Sequence, residues 1–194
     1  MKEKTSKSKT SNKKISTKEK ATAEKKETGV NPMRSVFIEK VVLSAGATGD
    51  NLIKAKKLLE LLSGRKAQVI TSQKRIPDFD VRPGLEVGTR VTVRGKEAHA
   101  LVMRLLGAID NKLKKKQITE NHFSFGIEEY IEIPGMEYQR EIGIRGLNVT
   151  VVFSRAGRRI AIKKRKSGNL PKKQHTTKEE IINTMEDMFK TTFI

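Results

Sequence analysis

Val87-Gly88-Thr89-Arg90-Val91-Thr92-Val93-Arg94 alternates without a fault. Val87, Thr89, Val91 and Val93 fall on one side, and Gly88, Arg90, Thr92 and Arg94 on the other. This is the signature of a strand with one buried and one wet face. Gly95 breaks the pattern. Residues 97–113 then place Ala98, Leu101, Leu105, Ala108 and Ile109 at helical spacing, which predicts an amphipathic helix. Working outward, residues 36–43 (Val-Phe-Ile-Glu-Lys-Val-Val-Leu) read as a strand and Ser44–Gly49 as a small-residue loop. Asp50 is placed as the N-cap of a helix bearing Leu52, Ala55, Leu59 and Leu62 and ending at Gly64. Residues 67–72, 123–133 and 146–153 read as further strands. Thr177-Lys178-Glu179-Glu180 is a capping box opening a last helix to about Phe189. Helices are few and strands often follow strands directly. The expected fold is α+β, a mostly antiparallel sheet with helices packed on one face.

The free face of such a sheet carries Arg90, Thr92 and Arg94 from one strand and Asn148 and Thr150 from another. The charge says what it meets. The chain of 194 residues holds 41 Lys and Arg against 22 Asp and Glu, a net +19 with a pI near 10.2. Residues 1–28 hold ten lysines and four glutamates and almost no large apolar side chain, so 1–29 is expected as a disordered lysine-rich tail. The remainder, 30–194, is expected as a single domain. It still holds 31 basic and 18 acidic residues, so the domain is basic in its own right. A polyanionic partner follows, most simply a nucleic acid. No apolar run approaches the roughly 18 residues of a membrane helix, and the lysine-rich start has no apolar core of a secretory signal. Without cysteine there is no disulfide, thiolate metal site or cysteine nucleophile.

Candidate chemistry is sparse. His99, His122 and His175 are scattered, with no pair at ligand spacing, and are placed on the surface or toward RNA. Glu128, Glu129 and Glu132 lack a histidine or metal partner and read as a solvated strand face. Gly46-Ala47-Thr48-Gly49 before a helix is either a plain turn or a phosphate contact. It lacks the spacing of a nucleotide P-loop. The long loop 73–86 sets Lys74, Arg75 and Arg82 around Phe79, which either stacks on nucleic acid or packs the loop onto its own domain. The arm 155–175 carries nine basic residues and no acid, including Arg158, Arg159, Lys163, Lys164, Arg165, Lys166, Lys172 and Lys173. Such a run repels itself unless phosphates screen it. An RNA-processing enzyme would need a converging acid–base or metal cluster, and a general DNA-compacting protein would not need this ordered core.

Several stretches together resemble one family. They are Asn31-Pro32-Met33-Arg34, Ile38-Glu39-Lys40-Val41-Val42, Arg90-Val91-Thr92-Val93-Arg94-Gly95, Phe123-Ser124-Phe125-Gly126-Ile127-Glu128-Glu129, Ile133-Pro134-Gly135 and Glu141–Val149, followed by Lys163–Lys166 and Thr177–Glu180. In order and spacing they resemble large-subunit ribosomal protein five, the universal 5S rRNA-binding family, in its archaeal form. The resemblance implies a non-enzymatic, cytoplasmic ribosomal protein without cofactor, metal or catalytic residue. It implies a place in the central protuberance among other large-subunit proteins and large-subunit rRNA, with no membrane and no homo-oligomer. The partners it implies are 5S rRNA, P-site tRNA and, across the subunit interface, small-subunit protein thirteen. Ser44, Gly46, Thr71, Arg90, Thr92, Arg94, Asn148 and Thr150 are then expected on 5S rRNA. Lys74, Arg75, Phe79 and Arg82 are expected toward tRNA, and the arm cations on rRNA phosphates. The chain departs from the family pattern at Ser44, where an asparagine is usual. Its glycine turn and tRNA-facing loop are also slightly shorter.

Overall fold

A computed structural model describes residues 31–194. The tail expected over 1–29 lies outside the described residues. Residues Pro32–Arg34 form a 3-10 turn, and the Asn31 side chain accepts from the Met33 N–H at 3.0 Å. From Val36 to Ile194 the chain forms one compact unit. Its strands are β1 (Val36–Gly46), β2 (Gln68–Thr71), β3 (Glu86–Val93), β4 (Lys112–Leu113), β5 (Ile118–Thr119), β6 (His122–Ile127), β7 (Leu147–Arg155) and β8 (Thr192–Phe193). Its helices are α1 (Asp50–Ser63), α2 (Lys96–Gly107), α3 (Arg159–Ile162) and α4 (Lys178–Phe189).

Six strands form one sheet in the order β2-β3-β1-β7-β6-β5, every neighbouring pair antiparallel. The expected α+β class is what the structure shows. β1 is the spine, paired on both edges, and α1, α2 and α4 all lie against it. The apolar parity of each strand meets those helices. Val41, Leu43, Val91, Val93, Phe123, Phe125, Val149, Val151 and Phe153 are buried with Leu58, Leu59, Val102, Leu105, Ile181 and Met185. Full burial of such side chains contributes about 1.5–3 kcal/mol each, which is why the alternation dictates the face.

The structure shifts several expected boundaries. β1 runs on through Ser44–Gly46, because Ser44 is paired on both sides, with Arg90 and with Asn148. Gly49, not Asp50, occupies the cap of α1. Asp50 is its first helical residue, where an acid suits the positive helix end. Gly64 closes α1 in the left-handed region (φ 63°), and its N–H donates to the Glu60 carbonyl. The helix expected over 97–113 ends at Gly107. Asp110 and Asn111 take positive φ, and Leu113 pairs in parallel with Phe193, a two-residue ladder formed with the C-terminus. The strand expected over 123–133 ends at Ile127. Beyond it the chain turns inward to bury Tyr130, whose hydroxyl accepts from the Gln139 N–H at 2.8 Å. Gly146 permits this turn: a Cβ there would lie 2.7 and 2.8 Å from the Glu128 and Ile127 carbonyl oxygens.

Candidate nucleic-acid interface

The strand register sets polar side chains in rows across the face opposite the helices. One row runs Gln68, Arg90, Ser44, Asn148, Gly126, each the cross-strand partner of the next. The next runs Thr92, Val42, Thr150, Ser124, and a third runs Lys40, Val152, His122, Thr119. Directly paired residues stand about 4.5–5.5 Å apart, so each row spans several strands at near-regular spacing. Gly46 and Gly88 pair beyond the first row and leave that end of the face low. Gly126 does the same at the far edge: a Cβ there would come within 3.2 Å of Asn148 Oδ1.

Of the residues expected on 5S rRNA, Ser44, Arg90 and Asn148 share one row and Thr92 and Thr150 the adjacent one, while Gly46 sits at its glycine end. Arg94 follows the same parity just past β3. Thr71 lies apart, at a register irregularity where it pairs with Glu86 on the outer edge. Reading strands singly missed Gln68, Val42, Lys40 and Ser124, while His122, expected at the surface or toward RNA, joins the third row. The first four become visible only once the partner of each residue is known. Gln68 positions its neighbour, its Oε1 accepting from Arg90 Nε at 3.1 Å. His122 Nε2 and the Thr119 hydroxyl lie 3.0 Å apart. His99 is not on this face; its ring packs against Phe189 on the helix side, with centroids 4.7 Å apart.

A bulge at Glu39, between Ile38 and Lys40, sends one carboxylate to the end of the face. Its Oε1 lies 3.6 Å from Arg94 Nη1 and its Oε2 accepts from Arg158 Nη1 at 3.0 Å. One acid thereby ties a sheet cation to an arm cation. The arm is folded. It contains α3 and a 3-10 turn, Lys172–Gln174. The Gly168 N–H donates to the Ile160 carbonyl at 3.2 Å, and Gln174 Nε2 donates to the Ala156 carbonyl at 2.8 Å. Arg159, Lys163, Lys164, Arg165, Lys166, Lys172 and Lys173 are exposed along it.

Arg155, which opens the arm, differs from the other eight cations. It is 7% exposed and points to the helix side, where it donates to the Lys173 carbonyl at 3.0 Å and to Glu180 Oε1. Glu180 also accepts from the Thr177 N–H at 3.0 Å, completing the capping box of α4. Burial raises the pKa of Glu180, but the Thr177 N–H and the Arg155 guanidinium outweigh it and hold the carboxyl below its usual value. Arg155 is a structural anchor rather than a free phosphate ligand.

The long loop is a hairpin in its own right. Ile76 and Val81 form a bridge around the 3-10 turn Pro77–Phe79, and Val81 is buried. Ser72 and Gly84 close its neck through a 2.8 Å bond from the Gly84 N–H to the Ser72 carbonyl. Phe79 is 75% exposed at the tip, so it does not pack the loop onto its own domain. Lys74, Arg75 and Arg82 are exposed around it. Among the described residues no group of acids and histidines is placed to hold a metal ion, and no helix is long and apolar enough to cross a membrane.

Comparison with known proteins places this architecture. The family model described as ribosomal protein L5 matches residues 31–82, and the model of the same ribosomal family's C-terminus matches residues 86–183. A large ribosomal subunit protein uL5 from Nanoarchaeum equitans is 39% identical over 160 residues, covering 81% of this chain and 95% of that protein. The uL5 proteins of Sulfurisphaera tokodaii and Archaeoglobus fulgidus are 37% and 36% identical, over 85% and 84% of this chain and 96% and 93% of theirs. An open cationic sheet face on a helix-backed core is here the fold of a ribosomal protein, a structural constituent of the large subunit rather than an enzyme. The chain belongs to the ribosomal protein L5 family, uL5.

Proposed function

We propose that the open sheet face holds 5S rRNA and attaches it to the central protuberance of the large subunit. The observation that carries this reading is the pair of rows through Arg90 and Thr92. Apart from Val42 and Gly126, the side chains of these rows donate and accept hydrogen bonds, and they stand at strand spacing on the face opposite α1, α2 and α4. Backbone phosphates and 2′-hydroxyls are met by such groups, while cations at the rim supply affinity. The folded arm lies at one end of that face and engages rRNA phosphates. The hairpin of 72–85 lifts Lys74, Arg75 and Arg82 with an exposed aromatic, a shape suited to the backbone of P-site tRNA. On the same reading the chain contributes to a bridge with small-subunit protein thirteen. Residues 30–194 act as the RNA-binding domain.

Titration of 5S rRNA against salt tests the proposal. Neutralising about five to eight phosphates gives a log–log slope near −4 to −7 by counterion release. A flat response, or equal affinity for random duplex DNA, contradicts it.

A further inference from the structure

The open face does not end with its polar rows. Where β7 passes into the arm, a cleft of about 770 Å³ opens between the start of β1 and the folded arm. Phe37 pairs across from Ser154 and faces the cleft with 45% of its surface exposed. Ile162 adds an apolar contact from the arm, and Arg159, Lys163, Lys164 and Arg165 line the rim. The one acid in the lining, Glu39, is already engaged by Arg94 and Arg158.

This is an exposed aromatic ring in the wall of a cleft rimmed by cations, and its ligand should match both parts. An acidic peptide satisfies the collar but leaves the ring in water. A paired RNA strand also offers phosphates, but its base faces are stacked within the helix and cannot reach Phe37. An unstacked nucleotide carries a flat π-face and a phosphate on each side, and single-stranded bases are bound in this way by aromatic side chains. The cleft volume lies within the about 300–1,000 Å³ usual for ligand sites.

We propose that this cleft takes one unstacked nucleotide of ribosomal RNA, its base on Phe37 and its flanking phosphates on the arm cations. The proposal rests on the reading of the open face as RNA-bound, since the cleft continues that face. It assigns Phe37 and the arm a task separate from the polar rows: recognising a bulge or loop rather than a helical backbone. Stacking of this kind tolerates any base, so the site reads the extrusion and not its sequence.

The chain has no tryptophan, so F37W introduces a single indole reporter. The probes are two hairpin RNAs with the same stem, one with a single bulged purine and one fully paired. The bulged hairpin is expected to quench the indole and the paired one to leave it unchanged. F37L, which keeps an apolar side chain but removes the ring, should lower affinity for the bulged hairpin by about 5- to 150-fold, the range of one base–aromatic stack. Affinity for the paired hairpin should not change. Equal binding of both hairpins by the wild-type chain, or no quenching in F37W, overturns the proposal. Thermal melting of F37L checks its fold; if that variant is unstable, the F37W signal decides. T92A/R94A assayed against 5S rRNA separates the two readings. Weakened 5S rRNA binding there, with no bulge preference, defeats the cleft alone. Unchanged 5S rRNA binding there defeats the reading of the face.

Discussion

Replacing Glu180 with glutamine isolates the charge that holds down the base of the arm. Glutamine keeps an oxygen for the Thr177 N–H, so the capping box survives. What is lost is the negative charge facing Arg155, whose side chain is almost wholly buried and whose Nε has no hydrogen-bond partner. Breaking a fully buried ion pair costs about 3–5 kcal/mol, whereas exposed pairs are worth about 0.2–1 kcal/mol. The Glu180 side chain is 40% exposed, which places this pair between the limits. A loss of about 2 kcal/mol is therefore expected, a fall in Tm of about 4–8 °C for a chain of this size. The pH dependence supplies the sign. The folded-state pKa of Glu180 lies below its unfolded value, so its contribution is present above the unfolded pKa and disappears as pH falls through the folded one. Melting of wild type and E180Q should differ at pH 7 and converge at strongly acid pH. R155M in the E180Q background, which removes the stranded guanidinium, should recover part of the loss. A Tm change below about 1 °C at pH 7, or a difference that persists undiminished in acid, would refute the assignment.

Two further outcomes follow from the geometry. Cutting the hairpin between Ser72 and Leu85 to a short Gly-Ser turn should leave folding and 5S rRNA binding intact while speeding release of P-site tRNA from assembled ribosomes. Loss of 5S rRNA with unchanged tRNA release would show the two surfaces to be exchanged. Gly146→Ala drives a Cβ to within 2.8 Å of two backbone carbonyl oxygens, so denaturant unfolding should show a loss of about 1–3 kcal/mol, as overpacking costs; an unchanged midpoint would contradict the close approach.

The strands that alternate cleanly were legible in the sequence, and so was the face they present. Val91 and Val93 inward with Arg90 and Thr92 outward, and Val149 and Val151 inward with Asn148 outward, require no partner to be read. What depends on pairing was not legible. The continuation of β1 through Ser44-Ala45-Gly46 runs against local propensity and exists because β3 and β7 bond to both its edges. The bulge at Glu39 joins Arg94 to Arg158, residues far apart in sequence. Arg155 reads like the eight other cations of its arm until α4 brings Glu180 beside it. The early end of α2 reflects a ladder between Leu113 and Phe193, a contact that no window of sequence contains. The hairpin form of the loop was not legible either, because the bridge between Ile76 and the buried Val81 lies in a stretch whose two prolines and mixed charges give no strand pattern.

The most direct test of 5S rRNA binding on the open face compares two variants that lose the same charge on opposite sides of the sheet. T92A/R94A removes a hydroxyl and a cation from the open face. K57A removes a cation from α1, where Lys57 is exposed and bonded to Glu141 at 2.7 Å. Equilibrium binding of 5S rRNA is measured for both at one salt concentration, with melting temperatures confirming the fold. T92A/R94A is expected to weaken binding by about 2–4 kcal/mol, roughly 30- to 1,000-fold, through a lost charge-assisted contact and a lost hydrogen bond. K57A is expected to change affinity by no more than about twofold, a screened effect of net charge alone. Equal losses in the two variants, or undiminished binding by T92A/R94A, would contradict the claim that 5S rRNA lies on the open face.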